Sequence, residues 1–132
     1  MEKVKTVAVN LVVIAVISIV LIWGDTLYRQ HVEFDKGEKA FAAGNFIASV
    51  AGYESCIHMY TPGSSLMEKS SEKLWTLGEI AERRGDLERA LVAYRALRSS
   101  WYAVVWLYQP GEDWIKKCDG RIGQLVQMRA KG

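Results

Sequence analysis

Residues 71–97, SEKLWTLGEIAERRGDLERALVAYRAL, decide the fold of this 132-residue chain. Apolar residues recur at helical spacing on both sides of Gly85 and Asp86. A glycine after a helix supplies a left-handed C-cap, and the aspartate that follows supplies the N-cap of the next helix. The stretch therefore predicts two helices joined by a tight turn, and the second helix has one apolar stripe that belongs to the core: Leu87, Ala90, Leu91, Tyr94 and Leu97.

A second copy of this pattern lies upstream, in residues 37–53, GEKAFAAGNFIASVAGY. In both copies a glycine is followed by alanine three residues on and by a second glycine seven residues on, and a tyrosine stands nine residues past that second glycine. Glycine lets two helix backbones approach closely, and it also ends a helix in the left-handed conformation. We expect the four glycines of the pattern to have these structural roles: Gly37, Gly44, Gly78 and Gly85.

The repeated pattern resembles the tetratricopeptide repeat family over about residues 30–101. The second copy is the better match, whereas Glu33 and Lys36 occupy positions of the first copy that the family fills with apolar residues. The second glycines are 41 residues apart, and the family period is about 34. The resemblance implies two helical hairpins whose first helices line a concave surface that takes up segments of other proteins.

Position by position, the resemblance implies a partner-binding groove formed by residues of both first helices: Phe34, Glu38, Phe41, Trp75, Glu79, Glu82 and Arg83. The aromatic residues would anchor apolar side chains of a partner protein, and the acidic residues would select a basic or mixed rim. Glu79 argues against capture of a terminal carboxylate. The alternative, that Phe41 and Trp75 simply pack between helices, stays open at this point.

A further repetition predicts one more helix after the second hairpin. Residues 60–69, YTPGSSLMEK, are echoed by residues 108–117, YQPGEDWIKK, so that a helix from Glu112 to about Met128 is expected. Its apolar residues recur at helical spacing, and repeats bury their faces only against neighbours, so we expect this helix to cap the array. As a cap, it should shelter Val104, Val105 and Tyr108.

The N-terminal residues 6–24, TVAVNLVVIAVISIVLIWG, contain no charged residue. As a helix this segment spans roughly 28 Å, close to the thickness of a bilayer's hydrocarbon core. The alternative is a cleaved secretory signal, because Lys3 and Lys5 precede the apolar run. That run is longer than the roughly 7–15 residues of a signal sequence, and Ile19 to Trp23 contains no small-x-small cleavage motif.

We therefore expect a membrane anchor in residues 1–27 and an all-α helical-repeat domain in residues 28–132. The basic N-terminal tail favours a cytoplasmic N-terminus, which in a bacterium would put the soluble domain in the periplasm. Cys56 and Cys118 are expected to be core thiols, with a disulfide as the alternative.

The sequence contains no pattern that indicates catalysis, a cofactor or a metal. The net charge of +2 is dispersed, which argues against a nucleic-acid partner. His31 and His58 have no patterned catalytic partner, and the glycines form no phosphate-binding loop. We expect no enzyme activity, no small-molecule substrate and no cofactor. The expected function is a single-pass membrane adaptor or scaffold that holds a protein partner of a membrane complex; the alternative is a structural accessory subunit packed permanently in such a complex.

Overall fold

The secondary structure is entirely helical in residues 1–131, the part of the chain that the computed structural model describes. Five helices follow one another in order: α1 Glu2–Ala42, α2 Phe46–His58, α3 Leu66–Arg83, α4 Leu87–Ala103 and α5 Glu112–Lys131. Helices α1 and α2 form one hairpin, α3 and α4 form the next, and α5 packs on α4. The predicted fold class, with a long apolar N-terminal helix and a C-terminal helix after two hairpins, is confirmed.

The turns inside the two hairpins have the same geometry. Gly44 and Gly85 adopt left-handed φ angles of 74° and 75°. The next residue in each turn, Asn45 or Asp86, donates its backbone N–H to the carbonyl five residues earlier at 2.9 Å. The side chain of the same residue accepts a hydrogen bond from the backbone N–H three residues on, at 3.1 Å in both cases. Each glycine thus ends one helix while its polar neighbour starts the next.

The packing between the two helices of each hairpin is also repeated. A Cβ atom on Gly37 would lie 2.9 Å from the ring of Tyr53, and a Cβ atom on Gly78 would lie 2.5 Å from the ring of Tyr94. Both tyrosines are completely buried. The first glycine of each copy therefore leaves the space into which the tyrosine of the same copy fits.

Helices α1 and α2 approach each other more closely than the repeat pattern predicts. A Cβ atom on Gly52 would lie 2.6 Å from both the Cα and the backbone nitrogen of Gly37. Glycine stands on both sides of this crossing, so the two backbones meet directly. Gly52 was not among the residues singled out from the sequence.

Helix α1 runs without interruption from the apolar N-terminal stretch into the folded domain. Every residue from Thr6 to Gly24 is exposed, and Gln30 is the first buried residue of the helix. The Gln30 side chain donates to the carbonyl oxygens of Cys56 and Met59 at 3.2 and 3.1 Å. The expected boundary between residues 27 and 28 therefore falls within a continuous helix, between the half-buried Thr26 and Leu27 and the fully buried Gln30.

Helix α5 covers the second hairpin with a face of four buried residues: Ile115, Cys118, Ile122 and Leu125. The expectation that it also shelters Val105 and Tyr108 is wrong, because these residues are 55% and 58% exposed. Helix α4 ends at Ala103, and the connection to α5 leaves the core after Val104, which is half-buried against it.

Candidate partner-binding face

The groove candidates on α1 lie on the part of that helix that belongs to the domain. The ring of Phe34 packs against that of Tyr53, with centroids 5.8 Å apart. Glu38 accepts a hydrogen bond from the Tyr53 hydroxyl at 2.7 Å, and its Oε1 lies 3.7 Å from Lys73 Nζ on α3. The same ammonium group lies 4.9 Å from the ring centroid of Phe41. Lys73 therefore connects the first hairpin to the second across the candidate face.

Trp75 on α3 corresponds to Phe34 in the repeat and packs in the same way. Its ring centroid lies 4.7 Å from that of Tyr94 and 6.4 Å from that of Trp114 on α5. Lys117 Nζ lies 4.7 Å from the ring centroids of both tryptophans. Trp75 is half-buried among these residues. It therefore packs between helices, which is the alternative that the sequence analysis left open for this residue.

Glu82 is an internal hydrogen-bond acceptor. It accepts from the Tyr94 hydroxyl and from the Arg121 guanidinium, which reaches both of its carboxylate oxygens. Its side chain is only 14% exposed. Such a paired and largely buried carboxylate costs free energy to uncouple, so Glu82 serves first to hold α5 against α3.

Four of the sequence-predicted residues meet in one recess of about 240 Å³, lined by Trp75, Glu79, Glu82, Arg83, Tyr94 and Arg121. Within residues 1–131, neither Glu79 nor Arg83 takes part in an ion pair. These two side chains are therefore the charged groups of the recess that are available to a partner. Burial, and secondarily the carboxylate of Glu79, raises the pKa of Tyr94 to about 12, so this phenol is neutral at physiological pH.

Phe41 lies at a different place from the α3 candidates. It lines a second cavity, of about 200 Å³, between the two hairpins at the end where their turns lie. Phe46, Leu77 and Ile80 line the apolar side of this cavity, and Arg84, Asp86 and Arg89 line its rim. The structure therefore separates Phe41 from the four predicted residues of the first recess, while Phe34 and Glu38 pack against Tyr53 and line neither cavity.

Sequence reasoning missed the contribution of α5 to this face. Arg121 lines the recess, and Trp114 and Lys117 pack against Trp75 beside it. Trp114 Nε1 also donates to Glu68 at 2.9 Å. The spacing of α5 identified its buried stripe, but no pattern pairs Arg121 with Glu82, which lies 39 residues earlier.

The two cysteines are free and buried, as the core interpretation of the sequence predicts. Burial raises the pKa of the Cys56 thiol to about 11 and that of the Cys118 thiol to about 12. Thiols with such pKa values are almost wholly protonated at neutral pH and are poor nucleophiles. Within residues 1–131, no group of three or more His, Cys, Asp or Glu side chains is arranged to hold a metal ion.

Comparison with known proteins gives no family for this chain. No protein-family model matches it, and neither a curated protein nor a solved structure matches it.

Proposed function

We propose that this protein is a single-pass membrane adaptor that holds a partner protein beside the membrane through the recess around Trp75 and Glu79. One observation carries the proposal: helix α1 is wholly exposed over an uncharged stretch long enough to cross a bilayer, and the same helix continues into the folded domain. Exposed large apolar side chains along a whole helix are costly in water but favourable in lipid. The first half of α1 is thus suited to lipid, and its second half is part of a recognition domain.

The form of the two hairpins supports a recognition role of the tetratricopeptide kind. Both hairpins have the same three features: an aromatic residue packed against a tyrosine, a glycine beneath that tyrosine, and a glycine with a left-handed φ at the turn. In such arrays the first helices of successive hairpins line one face. Helices α1 and α3 have that place here, and they carry the residues of the candidate face.

The chemistry of the recess indicates the kind of partner segment that it accepts. Trp75 supplies aromatic surface above the buried ring of Tyr94, and Glu79 and Arg83 supply one charge of each sign at the rim. A segment with an exposed apolar side chain beside a basic residue would match Trp75 and Glu79 together. A small-molecule or nucleic-acid ligand is not proposed.

A photo-crosslinking amino acid placed at Glu79 of the full-length chain tests the recess in native membranes. Glu54 on α2 is the matched control, since it is a half-exposed glutamate outside the recess. We expect a defined crosslinked partner at position 79 and none at position 54. The Glu79→Lys variant should lose that partner, and Glu54→Lys should retain it. Equal crosslinking at both positions, or retention by Glu79→Lys, would contradict the proposed recess.

A structural accessory subunit is the second candidate, and Asn10 favours it. This amide lies on the exposed surface of the apolar stretch of α1, and a polar side chain at that depth in a bilayer is usually bonded to another transmembrane helix. In this case the full-length chain would remain in a complex of fixed stoichiometry through detergent purification. The Asn10→Leu variant would then weaken the complex, whereas Glu79→Lys would leave it intact.

We further propose that the N-terminus is cytoplasmic and that the domain lies across the membrane, in the periplasm of a bacterium. The support is the basic tail of Lys3 and Lys5. Protease added to spheroplasts should then digest the domain and leave an N-terminal tag protected. Protection of the domain would reverse the orientation.

A further inference from the structure

The connection between α4 and α5 exposes four consecutive large apolar residues, Val105 to Tyr108. Trp106 and Leu107 are 81% and 82% exposed, and their two neighbours are more than half exposed. A run of this kind on a water-facing surface normally marks a contact with another apolar phase or molecule.

The exposed segment is held in place by hydrogen bonds. The backbone N–H of Trp106 donates to the carbonyl of Tyr108 at 3.1 Å. The hydroxyl groups of Tyr108 and Tyr60 lie 2.9 Å apart, and Gln109 Nε2 donates to the Trp101 carbonyl at 2.7 Å. The segment is therefore presented in a defined conformation, and its exposure is a property of the fold.

This segment lies at the end of the domain from which the apolar part of α1 emerges. The chain turns back at Gly44, and α2 runs antiparallel to α1. The connection from α2 to α3 therefore lies beside the C-terminal end of the apolar stretch of α1. The two elements share a recess, lined by Ile19, Ile22, Trp23, Thr26, Tyr60, Thr61 and Pro62. Through the contact between Tyr60 and Tyr108, the exposed segment is linked to this same end.

The two connections at this end of the domain are uncharged, and the acidic residues Glu112 and Asp113 follow directly at the start of α5. Residues 59–67 and 99–111, which contain the two connections at this end, have no charged side chain. The turn at the opposite end between α3 and α4 contains Arg83, Arg84 and Asp86. An uncharged segment with tryptophan, tyrosine and leucine side chains suits the boundary between lipid headgroups and acyl chains, where aromatic residues are enriched.

We propose that Val105–Tyr108 is a second membrane contact, which inserts into the lipid–water interface on the side of the bilayer where the domain lies. This proposal rests on the membrane anchoring proposed above for α1. The domain then contacts the bilayer at two places, the span and this segment, which limits the directions in which its candidate partner-binding face can turn. We expect lipid to contact this segment; the alternative is a protein bound there.

The test uses the full-length chain in phosphatidylcholine vesicles that contain a nitroxide-labelled lipid as quencher. An environment-sensitive fluorophore is attached to one introduced cysteine per variant. Leu107→Cys reports on the segment, Arg84→Cys on the opposite end of the domain, and Val12→Cys on the span. The native thiols are buried, so the unsubstituted chain serves as the blank for labelling, and all three substituted positions are exposed.

We expect emission from position 107 to shift to shorter wavelength and to be quenched by the nitroxide lipid, as at position 12, while emission from position 84 is unchanged. Quenching at 12 with equal, weak signals at 107 and 84 overturns the second contact and leaves the anchor intact. Absence of quenching at position 12 overturns the anchor itself. A photo-crosslinker at Leu107 that reacts with a protein in native membranes, together with no quenching at 107 in pure lipid, overturns lipid as the occupant.

Discussion

Replacement of Gly52 by alanine should weaken the domain by forcing α1 away from α2. The added Cβ would lie 2.6 Å from two backbone atoms of Gly37 and 3.0 Å from the carbonyl oxygen of Glu33. Backbone atoms of a helix cannot rotate aside as a flexible side chain can, so the helix as a whole must shift. The shift also opens the space in which Tyr53 packs, because that ring contacts Gly37.

The size of the effect follows from two opposing contributions. Overpacking of a rigid site costs about 1–3 kcal/mol, whereas alanine in place of glycine within a helix gains up to about 1 kcal/mol. The expected net loss is about 1–2 kcal/mol, or a decrease in Tm of roughly 5–15 °C for a domain of this size. Gly120→Ala is the matched control: nothing lies within 4 Å of its added Cβ, so only the gain of up to about 1 kcal/mol should remain.

Thermal unfolding of the full-length chain in mild detergent, followed by far-ultraviolet circular dichroism, measures both variants. The two should change Tm in opposite directions. A Tm of Gly52→Ala at or above that of the unsubstituted chain would refute the close approach of α1 and α2 that joins the long N-terminal helix to the domain.

Three further outcomes are expected. Gly85→Val should lower the free energy of unfolding by about 1–2 kcal/mol through the left-handed φ alone, since an added Cβ meets nothing within 4 Å. Gly85→Asn should lose less in the same urea titration, because asparagine tolerates this φ better. Equal losses in the two variants would argue against the left-handed φ as the cause. Trp101→Phe should lower the free energy of unfolding by about 1–3 kcal/mol, because it removes the buried 2.9 Å hydrogen bond from Nε1 to Ser71 and leaves a cavity. Trp106→Phe on the surface should change the free energy of unfolding little. A similar change in both variants would contradict the buried role of Trp101. Burial raises the pKa of Tyr94 from 10.0 to about 12, so the phenol ionises first in the unfolded chain, and its contribution to stability is complete below pH 10 and lost as the pH rises to 12. Tyr94→Phe should therefore show a shallower decline in urea-determined stability between pH 10 and 12, with Tyr102→Phe as the exposed control. An unchanged slope in Tyr94→Phe would contradict this assignment.

The fold was predictable from the sequence because its signals are local. Glycine followed by Asn45 or Asp86 marks a helix end and a helix start within a few residues, and the structure has a left-handed glycine and an N-cap at each of these places. The apolar stripe of α5 also follows from its spacing, and Ile115, Cys118 and Leu125 are buried as that spacing requires. Each of these inferences depends on one helix or one turn at a time.

What the sequence left undetermined depends on contacts between distant segments. The Gly52 crossing, the Arg121 bond to Glu82 and the hydroxyl contact between Tyr60 and Tyr108 join residues separated by 15 to 48 positions. Spacing within a helix contains no information about which partner a side chain meets. For the same reason the prediction that α5 shelters Val105 was wrong. The exposure of Val105 depends on where α4 ends and on the path of the chain after Ala103.

In the proposed membrane-anchored arrangement, the uninterrupted α1 joins the domain to the bilayer as a rigid arm. The 41 residues of this helix correspond to about 61 Å of rise, and residues 25–42 account for roughly 27 Å of it. A change of about 20° in helix tilt, the average inclination of spans in bilayers, moves the far end of that arm by about 9 Å. No flexible linker absorbs this movement, so a thinner or thicker bilayer would swing the hairpin turns through the surrounding solvent and change the height at which a bound molecule is held.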